Sequence, residues 1–171
     1  MDRYGLTPNR QPELVPDFVT ALPPAADGAL AVYDADGTLW TDDVADDFTT
    51  WMIDQGHVEG GRWEEYMRVY AADPPTGCEF LLGFYTGMTR ATLAGYVQTW
   101  WDHHANRAWI PPVVESLHWA ADRGYAVWIV SGTPTDFLLP LRQMLPVAEV
   151  VAMDFATDAE GRITGQCAGI P

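Results

Sequence analysis

The sequence predicts an α/β protein with a parallel sheet and a helical segment inserted after the first strand. Two short apolar runs, residues 29–33 and 125–130, have the length and composition of buried strands. Apolar residues between 41 and 108 recur at helical spacing instead, and the strand–helix–strand alternation returns from residue 109. We therefore expect an α/β core made of residues 1–40 and 109–171 and a helical unit made of residues 41–108.

The helices are predicted from the spacing of apolar residues and from the residues that begin and end each run. Asp43 opens the first helix of the inserted segment, and Thr89 is a candidate N-cap for the last one. Pro111-Pro112 suits the start of the helix before the second strand, and Gly124 suits its end. The predicted helices cover residues 14–22, 43–56, 63–70, 78–85, 89–100, 111–124 and 134–145, with Thr133 or Thr135 able to cap the last.

The chain after the second strand predicts one more parallel strand and a hairpin. Residues 147–152 form the third apolar run, which follows the predicted helix and should pair in parallel with the second. Residues 155–165 have the pattern of a hairpin whose turn holds residues 158–161.

Composition limits the classes of partner. The chain has 171 residues, of which 48% are hydrophobic, and a formal charge of −15. Such a charge repels nucleic acid and anionic membrane, so we expect the protein to bind neither. There is no apolar run behind a basic N-terminus and no stretch long enough to cross a membrane, and we expect a cytoplasmic protein. The two cysteines stand in no metal-binding pattern and are expected to be free, buried thiols.

Polar residues follow the first two predicted strands at the point where each ends. Asp34 and Asp36 follow the first strand, and Ser131 and Gly132 follow the second. The carboxyl ends of parallel strands form the ligand-binding edge of an open sheet. Carboxylates there can attack phosphorus, move a proton and bind Mg²⁺, while a hydroxyl and a backbone N–H can bind phosphate. Thr38 adds a hydroxyl close to the same place.

These residues resemble two motifs of one superfamily. Asp34-Ala35-Asp36-Gly37-Thr38-Leu39 is similar to motif I of the haloacid dehalogenase (HAD) superfamily, and Val130-Ser131-Gly132-Thr133 is similar to its motif II. The helical segment resembles the type 1 cap of the phosphoserine phosphatase-like branch. The resemblance spans about residues 29–168. It implies a Rossmann-like core, Mg²⁺ and an aspartyl-phosphate intermediate.

The resemblance also implies a role for each matching residue. Asp34 matches the nucleophile, and Asp36 matches the general acid/base, whose main-chain carbonyl also binds Mg²⁺. Ser131 matches the phosphate-binding hydroxyl, with Gly132 beside it. Asp43 falls where phosphoserine phosphatases carry a substrate-contacting acid in the cap, although an acid at a helix start is also a common N-cap.

Two further motifs of the superfamily have no match within the 171 residues. They are the motif III lysine or arginine and the motif IV acidic pair, which in this branch follow a hairpin like that of residues 155–165. On this comparison the chain is C-terminally truncated and its sheet is incomplete. We therefore expect an open sheet edge that a second copy or a complementing chain could cover.

The function expected from these observations is magnesium-dependent hydrolysis of a small phosphorylated metabolite. One alternative is a non-catalytic domain that binds a phosphorylated ligand, a metal or a partner chain, because motifs III and IV are unmatched. A dehalogenase is disfavoured, because such enzymes usually lack the second acid. Arg90 or Arg107 could contact an anionic group of the substrate. Five tryptophans could surround a quaternary ammonium group, although they more often form core: Trp51, Trp63, Trp100, Trp101 and Trp109.

Overall fold

Four strands form a single sheet in the computed structural model of the protein, which describes residues 13, 15–104 and 108–169. The order across the sheet follows the order along the chain. The strands are β1 (Leu30–Tyr33), β2 (Ala126–Pro134), β3 (Glu149–Thr157) and β4 (Ile163–Gly169). β1, β2 and β3 are parallel, and β4 returns antiparallel to β3 as the predicted hairpin. The predicted α/β fold with a mostly parallel sheet is therefore confirmed, and it is consistent with a Rossmann-like core.

Helices connect the parallel strands, as parallel pairing requires. They are α1 (Asp17–Thr20), α2 (Val44–Asp54), α3 (Trp63–Ala72), α4 (Pro74–Leu81), α5 (Arg90–His104), α6 (Pro111–Asp122), α7 (Thr135–Leu138) and α8 (Leu141–Met144). Short 3₁₀ turns occupy Gly60–Arg62 and Leu82–Tyr85.

Several predicted helix boundaries are confirmed by the contacts at the helix ends. The Asp43 side chain accepts a hydrogen bond from Asp46 N (3.0 Å) and caps α2. The Thr89 hydroxyl accepts one from Thr92 N (3.2 Å) at the start of α5. Pro111 begins α6, and Gly124, with a φ of 89°, follows its end. Of the predicted helix over 14–22, only Asp17–Thr20 are helical among the described residues, as α1, and residue 14 lies outside the described residues.

Two of the helix predictions are wrong. The single helix over residues 134–145 is instead the end of β2 followed by two four-residue helices, which Leu139 and Pro140 separate. Pro140 has no N–H to continue a hydrogen-bonded helix, which explains the break. Neither Thr133 nor Thr135 caps α7, because Pro134 occupies that position without a side-chain bond. The helix predicted from residue 78 begins at Pro74, since proline suits the first turn of a helix as well as it stops the preceding one.

An aromatic cluster joins the helical segment to the sheet. Phe48 of α2 meets Phe137 of α7 edge to face, with ring centroids 4.7 Å apart. Tyr85 contacts both Phe137 (5.3 Å) and Phe155 of β3 (5.7 Å). All four side chains are fully buried, and each such ring pair contributes about 0.5–1.5 kcal/mol beyond its area. The helical segment and the sheet therefore share one continuous core.

β1 lies at an edge of the sheet formed by the described residues, since its recorded neighbour is β2 alone. Two of its apolar side chains are exposed: Leu30 by 46% and Val32 by 56%. The alternate residues, Ala31 and Tyr33, are partly covered, and Tyr33 accepts a hydrogen bond from Ser116 of α6. In the described parts of the chain, no helix is both long enough and apolar enough to cross a membrane.

Candidate active site

Asp34 and Asp36 leave the end of β1 in a tight turn. Between them Ala35 is fully buried, and its carbonyl accepts hydrogen bonds from the N–H groups of Thr38 (3.2 Å) and Leu39 (2.8 Å). Gly37 has a φ of 69°, a conformation in which glycine is favoured. The turn places Ala35 in the core and leaves Asp34 exposed and Asp36 half-buried.

Three donors hold the carboxylate of Asp36. Its Oδ1 accepts hydrogen bonds from Trp40 Nε1 (2.8 Å) and from Val44 N (2.7 Å), the first residue of α2. Its Oδ2 accepts one from the Thr133 hydroxyl (2.6 Å). These bonds tie the turn after β1 to the helical segment and to the end of β2. A hydroxyl can donate or accept, so Thr133 can stabilise Asp36 in either protonation state.

Thr38 contacts the neighbouring carboxylate rather than the cavity. Its hydroxyl donates to Asp34 Oδ2 at 2.9 Å. Within the described residues this is the one side-chain hydrogen bond that Asp34 receives, and the Oδ1 atom is left available to a ligand. This bond orients Asp34, and the contact of Thr38 with substrate stays a prediction.

Ser131 and Gly132 lie where the pairing of β2 with β3 becomes irregular. Ser131 is 5% exposed, and its Oγ accepts a hydrogen bond from Thr133 N at 3.1 Å. No acceptor for the Ser131 hydroxyl proton is present among the described residues. This donor therefore stays available to a ligand in the cavity. α7 has only four residues, so its dipole adds little to phosphate binding there.

With the exception of Thr38, the site residues predicted from both motifs line one cavity of about 420 Å³ between the sheet edge and the helical segment. Asp34, Asp36 and Gly37 come from the turn after β1, and Ser131 and Gly132 come from the C-terminal part of β2. The other lining residues are Thr41, Asp42, Asp43, Ala45, Tyr66, Tyr70, Cys78, Leu81, Thr133, Pro134 and Met153.

Asp43 serves two purposes that the sequence left as alternatives. Its side chain caps α2 and also lines the cavity. Burial, followed by the nearby charge of Asp36, raises the pKa of Asp43 from 3.8 to about 6.

This raised pKa predicts a pH-dependent effect of Asp43→Asn on stability. Folded Asp43 keeps its proton up to about pH 6, whereas unfolded Asp43 releases it near 3.8, so wild-type stability falls as the pH rises through that window. Asparagine keeps a cap acceptor and carries no charge. In urea unfolding without divalent cations, we expect the variant to be more stable than wild type by about 2 kcal/mol at pH 8 and by about 1 kcal/mol at pH 5. A constant difference at the two pH values would contradict the assignment.

Tyr66, Tyr70 and Cys78 line the cavity although no local pattern in the sequence marks them as site residues. The Tyr66 hydroxyl donates to Asp46, and burial raises the pKa of Tyr66 well above its usual range. Cys78 is a free, half-buried thiol. Burial and the charge of Asp43 raise its pKa, so at neutral pH it is protonated and a poor nucleophile.

The described aromatic residues and cation proposed from sequence do not line the cavity. Of the five tryptophans, Trp100 and Trp101 are fully buried in the core, and the other three pack against it. Arg90 also lies outside the cavity lining. Its guanidinium contacts Asp136 (2.8 Å), Asp154 and the carbonyl of Phe155 (2.6 Å). Arg107 lies outside the described residues.

Arg90→Met is expected to destabilise the fold by about 2 kcal/mol. Asp136 is 8% exposed, and loss of its cation is costly for a buried carboxylate. Because the Arg90 side chain is 38% exposed, solvent screens part of this ion-pair energy. Arg62→Met is the control, because the Arg62–Glu65 pair is exposed, and loss of this pair together with the cation–π contact of Arg62 over Phe80 (4.2 Å) should cost only about 1 kcal/mol. Equal shifts of the urea midpoint in the two variants would show that the Arg90 pairs contribute no more than a surface pair.

The donor atoms at the end of β1 suit Mg²⁺. Asp34 offers a carboxylate oxygen, whereas the side-chain oxygens of Asp36 already accept three hydrogen bonds, which leaves its main-chain carbonyl. In the described parts of the chain no three His, Cys, Asp or Glu side chains are placed to share an ion. Mg²⁺ commonly takes only one or two carboxylates and completes its shell with water and phosphate oxygens, so this small set of hard donors fits.

Three solved structures share the fold. A protein with unknown function from Bordetella pertussis Tohama I has a TM-score of 0.74 at 21% identity, over 85% of this chain and 69% of that one. A substrate-bound phosphoserine phosphatase complex has a TM-score of 0.56 at 15% identity, over 85% of this chain and 64% of that one. A phospho-aspartyl intermediate analogue of phosphoserine phosphatase has a TM-score of 0.55 at 16% identity, over 84% of this chain and 64% of that one. This chain thus spans about two thirds of the length of each.

A family assignment comes from the sequence itself. No curated protein sequence matches the chain at a significant level. Residues 31–171 match the sequence model of the family described as haloacid dehalogenase-like hydrolase, and this range contains both carboxylates of the first turn and the whole of β2. The chain belongs to the haloacid dehalogenase-like hydrolase family, and its fold resembles that of the phosphoserine phosphatases.

Proposed function

We propose that this chain is a magnesium-dependent phosphatase that hydrolyses a small phosphomonoester through an aspartyl phosphate on Asp34. The observation that carries the proposal is the single cavity in which an exposed carboxylate and a buried hydroxyl with an unused proton lie together. Asp34 and Ser131 supply these two groups. A carboxylate can attack phosphorus, and a hydroxyl proton directed into the cavity suits a phosphate oxygen.

The first half-reaction transfers the phosphoryl group to the protein. Asp34 forms a new O–P bond while the bond from phosphorus to the ester oxygen breaks. Asp36 gives its proton to the departing alkoxide, and Thr133 can then donate to the carboxylate that results. Ser131 binds an oxygen of the group in transfer. The Asp34 carboxylate and the main-chain carbonyl of Asp36 would hold Mg²⁺, which would supply positive charge to offset the charge of the phosphoryl oxygens.

The second half-reaction restores the protein. Asp36, now a carboxylate, takes a proton from water as the water oxygen attacks phosphorus. The bond between phosphorus and the Asp34 oxygen breaks, which releases inorganic phosphate and the free Asp34 carboxylate. One water molecule is consumed, and Asp36 finishes with the proton that it needs for the next cycle.

The test is Mg²⁺-dependent hydrolysis of p-nitrophenyl phosphate, combined with detection of phosphate on the protein. An acid-quenched reaction should carry a hydroxylamine-sensitive acyl phosphate that maps to Asp34. Turnover without any label on a carboxylate would favour direct attack by water. A folded sample with neither turnover nor label would contradict the proposal.

A second candidate function is binding without turnover. The favouring observation is the small donor set: within the described residues no third acidic side chain joins Asp34 and Asp36 as a metal ligand, and no basic side chain lines the cavity. On this alternative the same cavity holds a phosphorylated ligand, or a second chain at the edge of β1 completes the site. A phosphate monoester that binds with the same affinity with and without Mg²⁺, and is never hydrolysed, would support it.

A further inference from the structure

Aspartates and tyrosines line the cavity on the side formed by the helical segment. Asp42 and Asp43 stand at the start of α2. Tyr66 and Tyr70 come from α3, and their ring centroids are 5.9 Å apart. None of the described residues that line the cavity is basic. The leaving group of a bound phosphomonoester would therefore meet negative charge and aromatic side chains.

Among the described residues no cation pairs with Asp43, whose charge is offset only in part, by backbone N–H groups at the start of α2. Among the described residues its recorded hydrogen bond is from Asp46 N, and none of its contacts is with a cation. Burial and the neighbouring Asp36 oppose its ionisation, in keeping with its pKa of about 6. A positively charged group placed in the cavity would favour the ionised form, and that stabilisation would add to the affinity of a cationic ligand.

The two tyrosines are held in place by contacts outside the cavity. The Tyr66 hydroxyl donates to Asp46, and its ring is almost fully buried. Tyr70 packs against Gly77 so closely that a Cβ on Gly77 would lie 2.5 Å from Tyr70 Cα. Ring faces attract cations, and a quaternary ammonium group in particular. Fixed rings lose little entropy when a ligand binds.

A leaving group that carries a carboxylate finds no matching cation. Arg90 forms ion pairs with Asp136 and Asp154, and neither of these residues lines the cavity. A carboxylate near Asp43 would instead meet a like charge. The wall therefore disfavours acids and favours cations.

Building on the proposed phosphatase function, we propose that the preferred substrates are phosphate monoesters of amino alcohols. Their leaving group carries a positively charged nitrogen and no carboxylate. The phosphate lies at Asp34 and Ser131, and the nitrogen lies beside Asp43 on the side of the cavity that the two tyrosines line. Hydrolysis yields the amino alcohol and inorganic phosphate, with water as the only other reactant.

The test compares cationic esters with neutral esters of the same shape. Binding to Asp34→Asn in the presence of Mg²⁺, measured by calorimetry, avoids turnover. O-phosphoethanolamine is paired with propyl phosphate, and phosphocholine with 3,3-dimethylbutyl phosphate. In at least one pair we expect the cationic ester to bind about tenfold more tightly. The pair with the larger ratio shows whether a primary or a quaternary nitrogen is preferred.

Two further variants locate the source of the preference. Adding Asp43→Asn to the Asp34→Asn protein should lower the ratio of the affinity for the cationic ester to that for the neutral ester about tenfold. Asp54→Asn is the matched control, since Asp54 lies on the same helix, is exposed and does not line the cavity, and the ratio should persist there. Equal affinities within both pairs, or tighter binding of O-phosphoserine than of O-phosphoethanolamine, would overturn the inference.

Aryl phosphate hydrolysis by the wild-type protein separates this inference from the proposed function. Turnover without a cation preference would overturn the substrate class alone. A cation preference without turnover would support the cation-binding wall and overturn the proposed catalysis alone.

Discussion

Replacing Asp34 by asparagine is expected to lower Mg²⁺-dependent hydrolysis of an aryl phosphate by at least about 10³-fold. The amide has the same shape as the carboxylate, but its nitrogen does not attack phosphorus and its oxygen carries no charge for Mg²⁺. The loss should appear in kcat, because the nucleophile acts in the chemical step. Phosphate monoesters should still bind, since Ser131 and the cavity wall are unchanged.

The same substitution should leave the fold intact. Asp34 is exposed, and the hydrogen bond that Thr38 donates to it can be accepted equally by the amide oxygen. We expect the free energy of unfolding to change by no more than about 0.5 kcal/mol. Asp27→Asn makes the same chemical change at an exposed acid outside the cavity and should retain full activity. Activity of Asp34→Asn equal to that of Asp27→Asn would rule out Asp34 as the nucleophile.

The parts of the site that the sequence predicts are those fixed by local structure. A strand followed by Asp-Ala-Asp-Gly presents its carboxylates at the strand end, and both are found there. The strand itself, β1, is predicted to be buried but lies at an edge of the described sheet with two apolar side chains exposed. Ser131 and Gly132, predicted to follow the second strand, instead lie in the C-terminal part of β2, where they line the same cavity. Asp43 is predicted as a helix start, and it caps α2. In each case neighbouring residues along the chain determine the conformation.

The parts that the sequence does not predict depend on contacts between distant segments. Thr133 has the local pattern of a helix cap, yet its hydroxyl bonds to Asp36, 97 positions earlier. Tyr66 and Tyr70 have the helical spacing of core residues, and only the packing of α3 brings them to the cavity. The sequence makes Arg90 a candidate for binding an anionic substrate group. In the structure it pairs with Asp136 and Asp154, and no local sequence pattern predicts these ion pairs.

Gly77→Ala is expected to destabilise the protein by about 2 kcal/mol, although alanine normally favours a helix. Gly77 lies inside α4, and a Cβ there would come 2.5 Å from Tyr70 Cα and 2.6 Å from Tyr70 Cβ. Backbone atoms of α3 cannot rotate away as a side-chain tip could, so the two helices must separate. The gain in helix propensity, about 0.5–1 kcal/mol, offsets only part of that strain.

Gly95→Ala is the matched control, because Gly95 also lies inside a helix, α5, but a Cβ there meets no atom within 4 Å. It should stabilise the protein by about 0.5–1 kcal/mol, so the two variants should shift the urea midpoint in opposite directions. Separation of α3 from α4 also moves Tyr70 and Cys78, both of which line the cavity. Gly77→Ala should therefore weaken binding of a phosphomonoester as well as stability, whereas Gly95→Ala should change stability alone. Stabilisation by both substitutions would mean that the contact between α3 and α4 is loose enough to admit a methyl group.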